Sequence, residues 1–262
     1  MDYDTLRLET DERGVATLTF IRGDQHNAIS TPMMDELLQA NEQIRNDDRI
    51  RVVVLTGEGK SFCAGADLGW MKEQFAASRE QRIEQASRFA SIIDAYNTLP
   101  KPLIGRIQGQ AFGGGLGLIC ICDIAITVPE AKFGLTETRL GIVPATIGPY
   151  VLARLGEGNA RRIFMSARIF GTNEAQELGL VARVVGSNEL DSAVEAEVTP
   201  YLACSPAAVA SSKALARSLG PVIDQSEIDR VVRLLADTWE TPDAQEGITA
   251  FFEKRKPDWN RL

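Results

Sequence analysis

The stretch that most constrains this chain runs from Pro102 to Ile142. An apolar segment, Leu103 to Ile107, leads into Phe112-Gly113-Gly114-Gly115-Leu116-Gly117; a second apolar segment follows, and then Phe133-Gly134-Leu135-Thr136-Glu137. Consecutive glycines between two such segments predict a tight strand-to-helix turn whose first main-chain N–H groups lack helical partners. Glu137 is the sole acidic residue between Glu130 and Glu157. Orphan amides near one carboxylate could hold an oxyanion beside an acid/base group. Glycines that merely permit close packing explain the same run equally well, and spacing leaves both readings open.

The flanking sequence predicts what the turn is built into. Residues 5–21 alternate around Asp11-Glu12-Arg13-Gly14, an opening hairpin. Thr31-Pro32 reads as cap and first residue of a helix, with Met34, Leu37, Leu38 and Ile44 on its apolar side. Ile50–Thr56 carries Val52-Val53-Val54-Leu55 without polar alternation, the pattern of a strand covered on both faces. A glycine-rich loop follows over 57–69, then an amphipathic helix over 78–99 ended by Leu99-Pro100-Lys101-Pro102. The order recurs: strand Leu103–Ile107, helix Leu116–Cys120, strand Asp123–Val128, short strand Ala131–Phe133. Alternation of this kind predicts a mostly parallel α/β architecture. Beyond Pro149 the chain reads as largely helical, with helices at Val151–Leu155, Asn159–Ser166 and Thr172–Leu178, and more from Pro206 to Lys256. Residues 1–200 are expected to form the core, and 201–262 a helical region packed on it or on another subunit.

Charge and cysteine content narrow the function classes. A net charge of −8 over 262 residues opposes a general nucleic-acid binder, because phosphate-backbone affinity needs a basic face. No run approaches the length of a membrane span, and Met1-Asp2-Tyr3-Asp4 lacks a signal pattern, so a cytoplasmic protein with no membrane partner is expected. Cys63, Cys120, Cys122 and Cys204 match neither a disulfide framework nor a repeated metal spacing, and one histidine, His26, is too few for a His-rich metal site. Cys120 and Cys122 read as small buried thiols.

A second turn resembles the first. Ser61-Phe62-Cys63-Ala64-Gly65-Ala66-Asp67 follows a buried strand and enters a helix, so an amide near Ala66 should also point outward. Two such turns side by side can aim one N–H each at a single oxygen. The alternative, a dinucleotide fingerprint at 113–117, fails on spacing, because three consecutive glycines follow Phe112.

Four blocks together carry a resemblance: Phe62 to Leu68, Phe112 to Asp123, Phe133 to Pro144, and Glu246 to Lys256. In this order and at these positions the chain resembles, over essentially its full length, the enoyl-CoA hydratase/isomerase (crotonase) family. The resemblance implies a spiral of ββα turns followed by a C-terminal helical trimerisation region, with homotrimers or homohexamers as the assembly. It implies an acyl-CoA substrate, no separate cofactor since coenzyme A is part of that substrate, and no metal. The thioester oxygen would be held by the amides of Ala66 and Gly114, with Glu137 as the acid/base group.

Hydratases of the family generally carry a second glutamate where this chain has Gly117. The departure leaves two chemistries open: hydration of a 2-enoyl-CoA through Glu137 alone, or double-bond isomerisation by one carboxylate. An acyl-CoA-binding subunit without turnover is the non-catalytic alternative. The blocks at 62–72 and 141–150 look like those of methylglutaconyl-CoA and isohexenylglutaconyl-CoA hydratases, so a branched acid, methylglutaconyl-CoA or a relative, is the expected substrate. Gly117 is then expected to make room for a branched C3 substituent. Contacts with substrate or coenzyme A are implied for Ala28, Ala64, Asp67, Leu68, Gly117, Phe251 and Lys254. Asp67 is also expected to cap or orient the loop after Ala66, and the segment through Phe251, Lys254, Arg255 and Lys256 to reach a neighbouring subunit's coenzyme A. His26 falls in a loop near the coenzyme. A dehalogenase-like reading needs a histidine base and an aspartate nucleophile at positions that hold neither.

Overall fold

A computed structural model describes residues 3–260; Met1, Asp2, Arg261 and Leu262, the outermost residues of the two expected regions, lie outside the described residues. Strands β1 (Leu6–Thr10) and β2 (Val15–Phe20) form the expected hairpin, which Gly14 closes at φ 85°. Helix α1 (Thr31–Asn46) is capped by Ser30, whose hydroxyl accepts from the Met33 amide, and Thr31 begins the helix instead of capping it. The cap sits one residue earlier because Ser30 is the extended one.

Each following turn of the chain adds one strand to each of two sheets. β3 (Val52–Gly57), β5 (Leu103–Ile107) and β7 (Ile124–Thr127) run parallel beside β2, and β10 (Arg183–Val184) closes that sheet in the order β1-β2-β3-β5-β7-β10. β4 (Ser61–Cys63), β6 (Gln110–Phe112), β8 (Lys132–Gly134) and β9 (Phe170–Gly171) form a second sheet in that order. Helices α2 (Leu68–Ala76), α3 (Arg79–Asn97) and α4 (Gly114–Cys120) return the chain between turns. This is a spiral of ββα units. The wholly buried β3 explains its unbroken apolar run, since helices and a second sheet cover both faces.

Past the spiral, the two expected helices around 151–166 are the two halves of α5 (Gly148–Phe164), which kinks at Gly156 (φ 71°, ψ 155°). Glycine takes that backbone conformation readily, so the helix breaks there and restarts. Further on lie α6 (Thr172–Glu177) and α7 (Leu190–Leu202), then α8 (Pro206–Ser218), α9 (Gln225–Trp239) and α10 (Pro242–Phe252). α9 packs on α3 through Ile228 and Val232 against Ala86 and Ala90. α10 presses on residues 137–140: a Cβ at Gly247 would lie 2.6 Å from Leu140 C, and one at Gly141 2.4 Å from Asp243 O. The C-terminal helices therefore buttress the segment that carries Glu137. No helix among the described residues is long and apolar enough to cross a membrane.

Candidate active site

The two strand-to-helix turns meet where β4 and β6 pair in the second sheet. At the first, Gly65 takes φ 90° and its carbonyl accepts from Ile29 N–H, while Asp67 N–H donates to Ile29 O. Ala66 lies between these two bonds, and its own N–H has no protein acceptor among the described residues. At the second, Gly113 (φ 50°) caps α4, so Gly114 N–H is a first-turn orphan. The turns abut closely enough that a Cβ on Gly65 would lie 3.7 Å from Gly114 N. Deeper in, a Cβ on Gly115 would be 2.2 Å from Cys63 O. Close packing at the glycines is what brings the two turns together.

Glu137 opens a short 3-10 turn, Glu137–Leu140, closed by Gly141 at φ 72°. Its Oε1 would stand 3.1 Å from a Cβ at Gly113, a contact only glycine allows at that positive φ. Its Oε2 is enclosed and has no hydrogen-bond partner among the described residues. Burial pushes the carboxyl up to about 7, only partly offset by the Glu137 and Thr136 amides nearby. A carboxylate tuned near neutrality can both take and return a proton.

Two adjoining cavities meet at these residues. The inner chamber, about 110 Å³, has walls that include Phe89, Ile147, Leu235 and Trp239, and no lysine, arginine or histidine lines it. The outer cleft, about 820 Å³, is lined among others by His26, Arg139 and Phe251. Ala66, Gly114 and Glu137 face both.

Ala28, Ala64, Asp67, Leu68 and Phe251 all line the outer cleft. Asp67 caps α2: its Oδ1 accepts from Gly69 N (2.8 Å) and Trp70 N (3.3 Å), and its Oδ2 pairs with Arg22 Nη2 at 3.0 Å. Arg22 also donates to Ala28 O, so one guanidinium ties the loop holding Ala28 to the turn holding Ala66. His26 Nδ1 lies 2.9 Å from the buried Ser61 Oγ, which also accepts from Gln110 Nε2.

One expectation changes. Gly117 lines neither cavity and makes no room for a substituent: a Cβ there would lie 2.3 Å from Ile147 Cγ2 and 2.8 Å from Ile147 Cβ. Phe251 borders this chain's own cleft, because α10 folds back over residues 137–140. Lys254 lies past the end of α10, exposed and outside both cavities, and Arg255 pairs with Glu246 and Glu253. The thiols of Cys63, Cys120 and Cys122 are buried and pushed up to about 12, which makes them poor nucleophiles. Among the described residues no three histidine, cysteine or carboxylate side chains group as metal ligands.

Residues 10–261 match the family profile described as enoyl-CoA hydratase/isomerase. The chain belongs to this family. It is 34% identical over 265 residues to the crotonyl-CoA hydratase of Syntrophomonas wolfei, covering 99% of each. It is likewise 34% identical over 262 residues to the mitochondrial methylglutaconyl-CoA hydratase of Mus musculus, covering 95% of this chain and 81% of that one. The crystal structure of an enoyl-CoA hydratase from Shewanella pealeana superposes with a TM-score of 0.81 at 37% identity, over 98% of this chain and 97% of that one.

In this member of the enoyl-CoA hydratase/isomerase family, motif reading missed the chamber walls. Trp70 comes from α2, Phe89 from α3, Ile147 from the start of α5 and Leu235 and Trp239 from α9, and each reads as ordinary apolar patterning. Only the docking of α9 on α3 brings Leu235 and Trp239 to the chamber. Arg82, stacked on Trp239 and bonded to Glu240, Gln74 O and Phe75 O, holds that corner from behind.

Proposed function

We propose that the protein hydrates the 2,3 double bond of an enoyl-CoA thioester, with coenzyme A in the outer cleft and the acyl chain in the inner chamber. The thioester oxygen rests between the Ala66 and Gly114 amides, which are in place before charge develops on it as the enolate forms. Glu137 takes a proton from water as oxygen adds at C3, and the same group, or a water relay, returns one to C2. The observation that carries this reading is Glu137 itself: a carboxyl group pushed up to about 7, at the junction of the two cavities with both orphan amides.

One observation favours a second chemistry. With Ile147 filling the place beside Gly117, no second carboxylate anchors a water, and one carboxylate suffices to move a proton between C4 and C2. Δ3,Δ2-enoyl-CoA isomerisation is therefore the alternative. On substrate, the likeness to a methylglutaconyl-CoA hydratase supports a branched acid. The chamber without cations supports a neutral chain, because a second carboxylate would lie unpaired against apolar walls near Glu137. The homotrimer or homohexamer belongs to the same proposal. It draws support from α8, which has no buried residue, and from Leu219 and Val222 beyond it, 80% and 78% exposed.

The test is a panel of crotonyl-, 3-methylcrotonyl-, methylglutaconyl- and 3-hexenoyl-CoA, followed by the absorbance of the conjugated thioester. Hydration removes that absorbance from the 2-enoyl substrates, whereas isomerisation creates it from the 3-enoyl one. A chain that binds these thioesters and changes none of them, with or without Glu137→Gln, overturns both chemistries in favour of a silent binding subunit.

A further inference from the structure

We propose that Ile147 is the residue that decides which substituents the substrate can carry on its β-carbon. The inference rests on the proposed placement of the acyl chain in the inner chamber. Gly114 and Gly117 stand on the same short helix, three residues and so about 4.5 Å apart along its axis. A side chain at 117 would run into Ile147, which lines the inner chamber beside Gly114 and Glu137. Ile147 Cγ2 lies 2.3 Å from a Cβ built on Gly117, and Ile147 Cβ itself 2.8 Å.

The occupant cannot step aside. Ile147 is 2% exposed, it is the residue just before α5, and its branch at Cβ leaves the side chain little rotamer freedom. No rotation moves the Cβ that would meet residue 117. Glycine at 117 and isoleucine at 147 are therefore one choice, in which an aliphatic side chain from the α5 side replaces whatever α4 might have contributed. Ile147 also lines the chamber together with Glu137 and Gly114. The wall nearest the reacting carbons on that side is thus made of methyl and methylene groups, and its reach into a chamber of about 110 Å³ sets the room left beside C3.

Apolar walls discriminate by size: one methylene in such a pocket changes relative turnover by about 10- to 200-fold. The experiment compares wild type, Ile147→Val and Ile147→Ala on two scales. One is kcat/KM for 3-methylcrotonyl-CoA relative to crotonyl-CoA; the other is binding of the unreactive isovaleryl-CoA relative to butyryl-CoA by calorimetry. Both ratios should rise by about tenfold in Ile147→Ala, and in the same direction but less in Ile147→Val, which removes one methyl and keeps the fold. Ratios within about twofold of wild type in folded Ile147→Val and Ile147→Ala overturn the proposal. Gly117→Ala should lower the melting temperature, and by less in the Ile147→Ala background than in wild type, because losing Ile147 Cγ2 relieves the closer of the two contacts; strictly additive shifts would overturn the contact. If wild type hydrates neither enoyl thioester while the binding ratios shift as expected, the role of Ile147 stands and the hydratase reading falls.

Discussion

The two turns that meet at the site are built by opposite means. The turn at Ala66 is held by side chains: Asp67 caps α2, Arg22 pairs with Asp67, and the residues around it are open, with Leu68 56% exposed. The turn at Gly114 is held by close packing, with Gly113 against Glu137, Gly115 against Cys63 O and Gly117 against Ile147. One presents its amide from a polar clamp at the mouth of the cleft, the other from a buried helix start with no room for a single added carbon. In the proposed function the tolerant side faces the coenzyme and the intolerant side the reacting carbons. The difference implies that polar substitutions should do modest harm at the first turn, and small steric ones severe harm at the second.

The largest effect should come from the carboxyl group packed on the second turn. Glu137→Gln keeps the shape and removes the proton carrier, so kcat should fall by about 10² to 10⁴ with little change in KM. Wild-type kcat/KM should rise with pH and level off above about 7, because the base must be ionised to accept a proton. Steady-state rates across pH 5.5 to 8.5 check both. An unchanged kcat or a flat profile would leave the second turn with no more chemistry than the first.

Next in size is Gly115→Ala. Its Cβ would meet a backbone oxygen, Cys63 O, at 2.2 Å, so the two turns must move apart. About 3 kcal/mol of stability should be lost, a drop of roughly 6 to 12 °C in melting temperature for a chain of this size. Activity should fall further than the lost stability explains, since separating the turns separates Ala66 from Gly114. A variant that melts and reacts like wild type would show that the second turn yields as readily as the first.

A thermodynamic signature of the buried carboxyl group follows. Its folded value of about 7 stands above the ordinary 4.5, so burial favours the neutral acid. The fold gives up stability as pH rises from 4.5 to 7 and carries the full cost above that. Glu137→Gln should therefore be stabilising by up to about 3 kcal/mol at pH 8 and nearly neutral below pH 4.5. Denaturant titrations at the two pH values measure it. Equal effects at both would mean that the carboxyl group is not enclosed.

What could be read in advance divides along the same line. The strand at 103–107, the parallel alternation and the placing of Ala66, Gly114 and Glu137 follow from local causes: buried runs, glycine turns and a lone acid. β4 and β6 escaped because each is three residues set among glycines and reads as loop, whereas the equally short β8 is expected at Ala131–Phe133. Gly117 was legible as a glycine but not as a consequence of Ile147, thirty residues away, because nothing local links them. The return of Phe251 to its own cleft depends on α10 seating against Leu140 and Gly141, a contact between segments about a hundred residues apart.

The smallest effect should fall on the polar clamp. Asp67→Ala removes the cap of α2 and leaves Arg22 with only Ala28 O and Gln25, at a cost of about 0.5 to 2 kcal/mol. Asp67→Asn keeps an oxygen for the Gly69 and Trp70 amides but gives up the charge on Arg22. If the cap positions Ala66, Asn should restore nearly all of the roughly tenfold loss in kcat expected for Ala. If the ion pair does, Asn should resemble Ala, and the residual defect should shrink as salt rises, because a partly exposed pair is screened. Either result leaves the first turn weaker and more adjustable than the second, since a side-chain bond can be remade from a neighbouring donor, whereas a backbone oxygen 2.2 Å from an intruding carbon has nowhere to go.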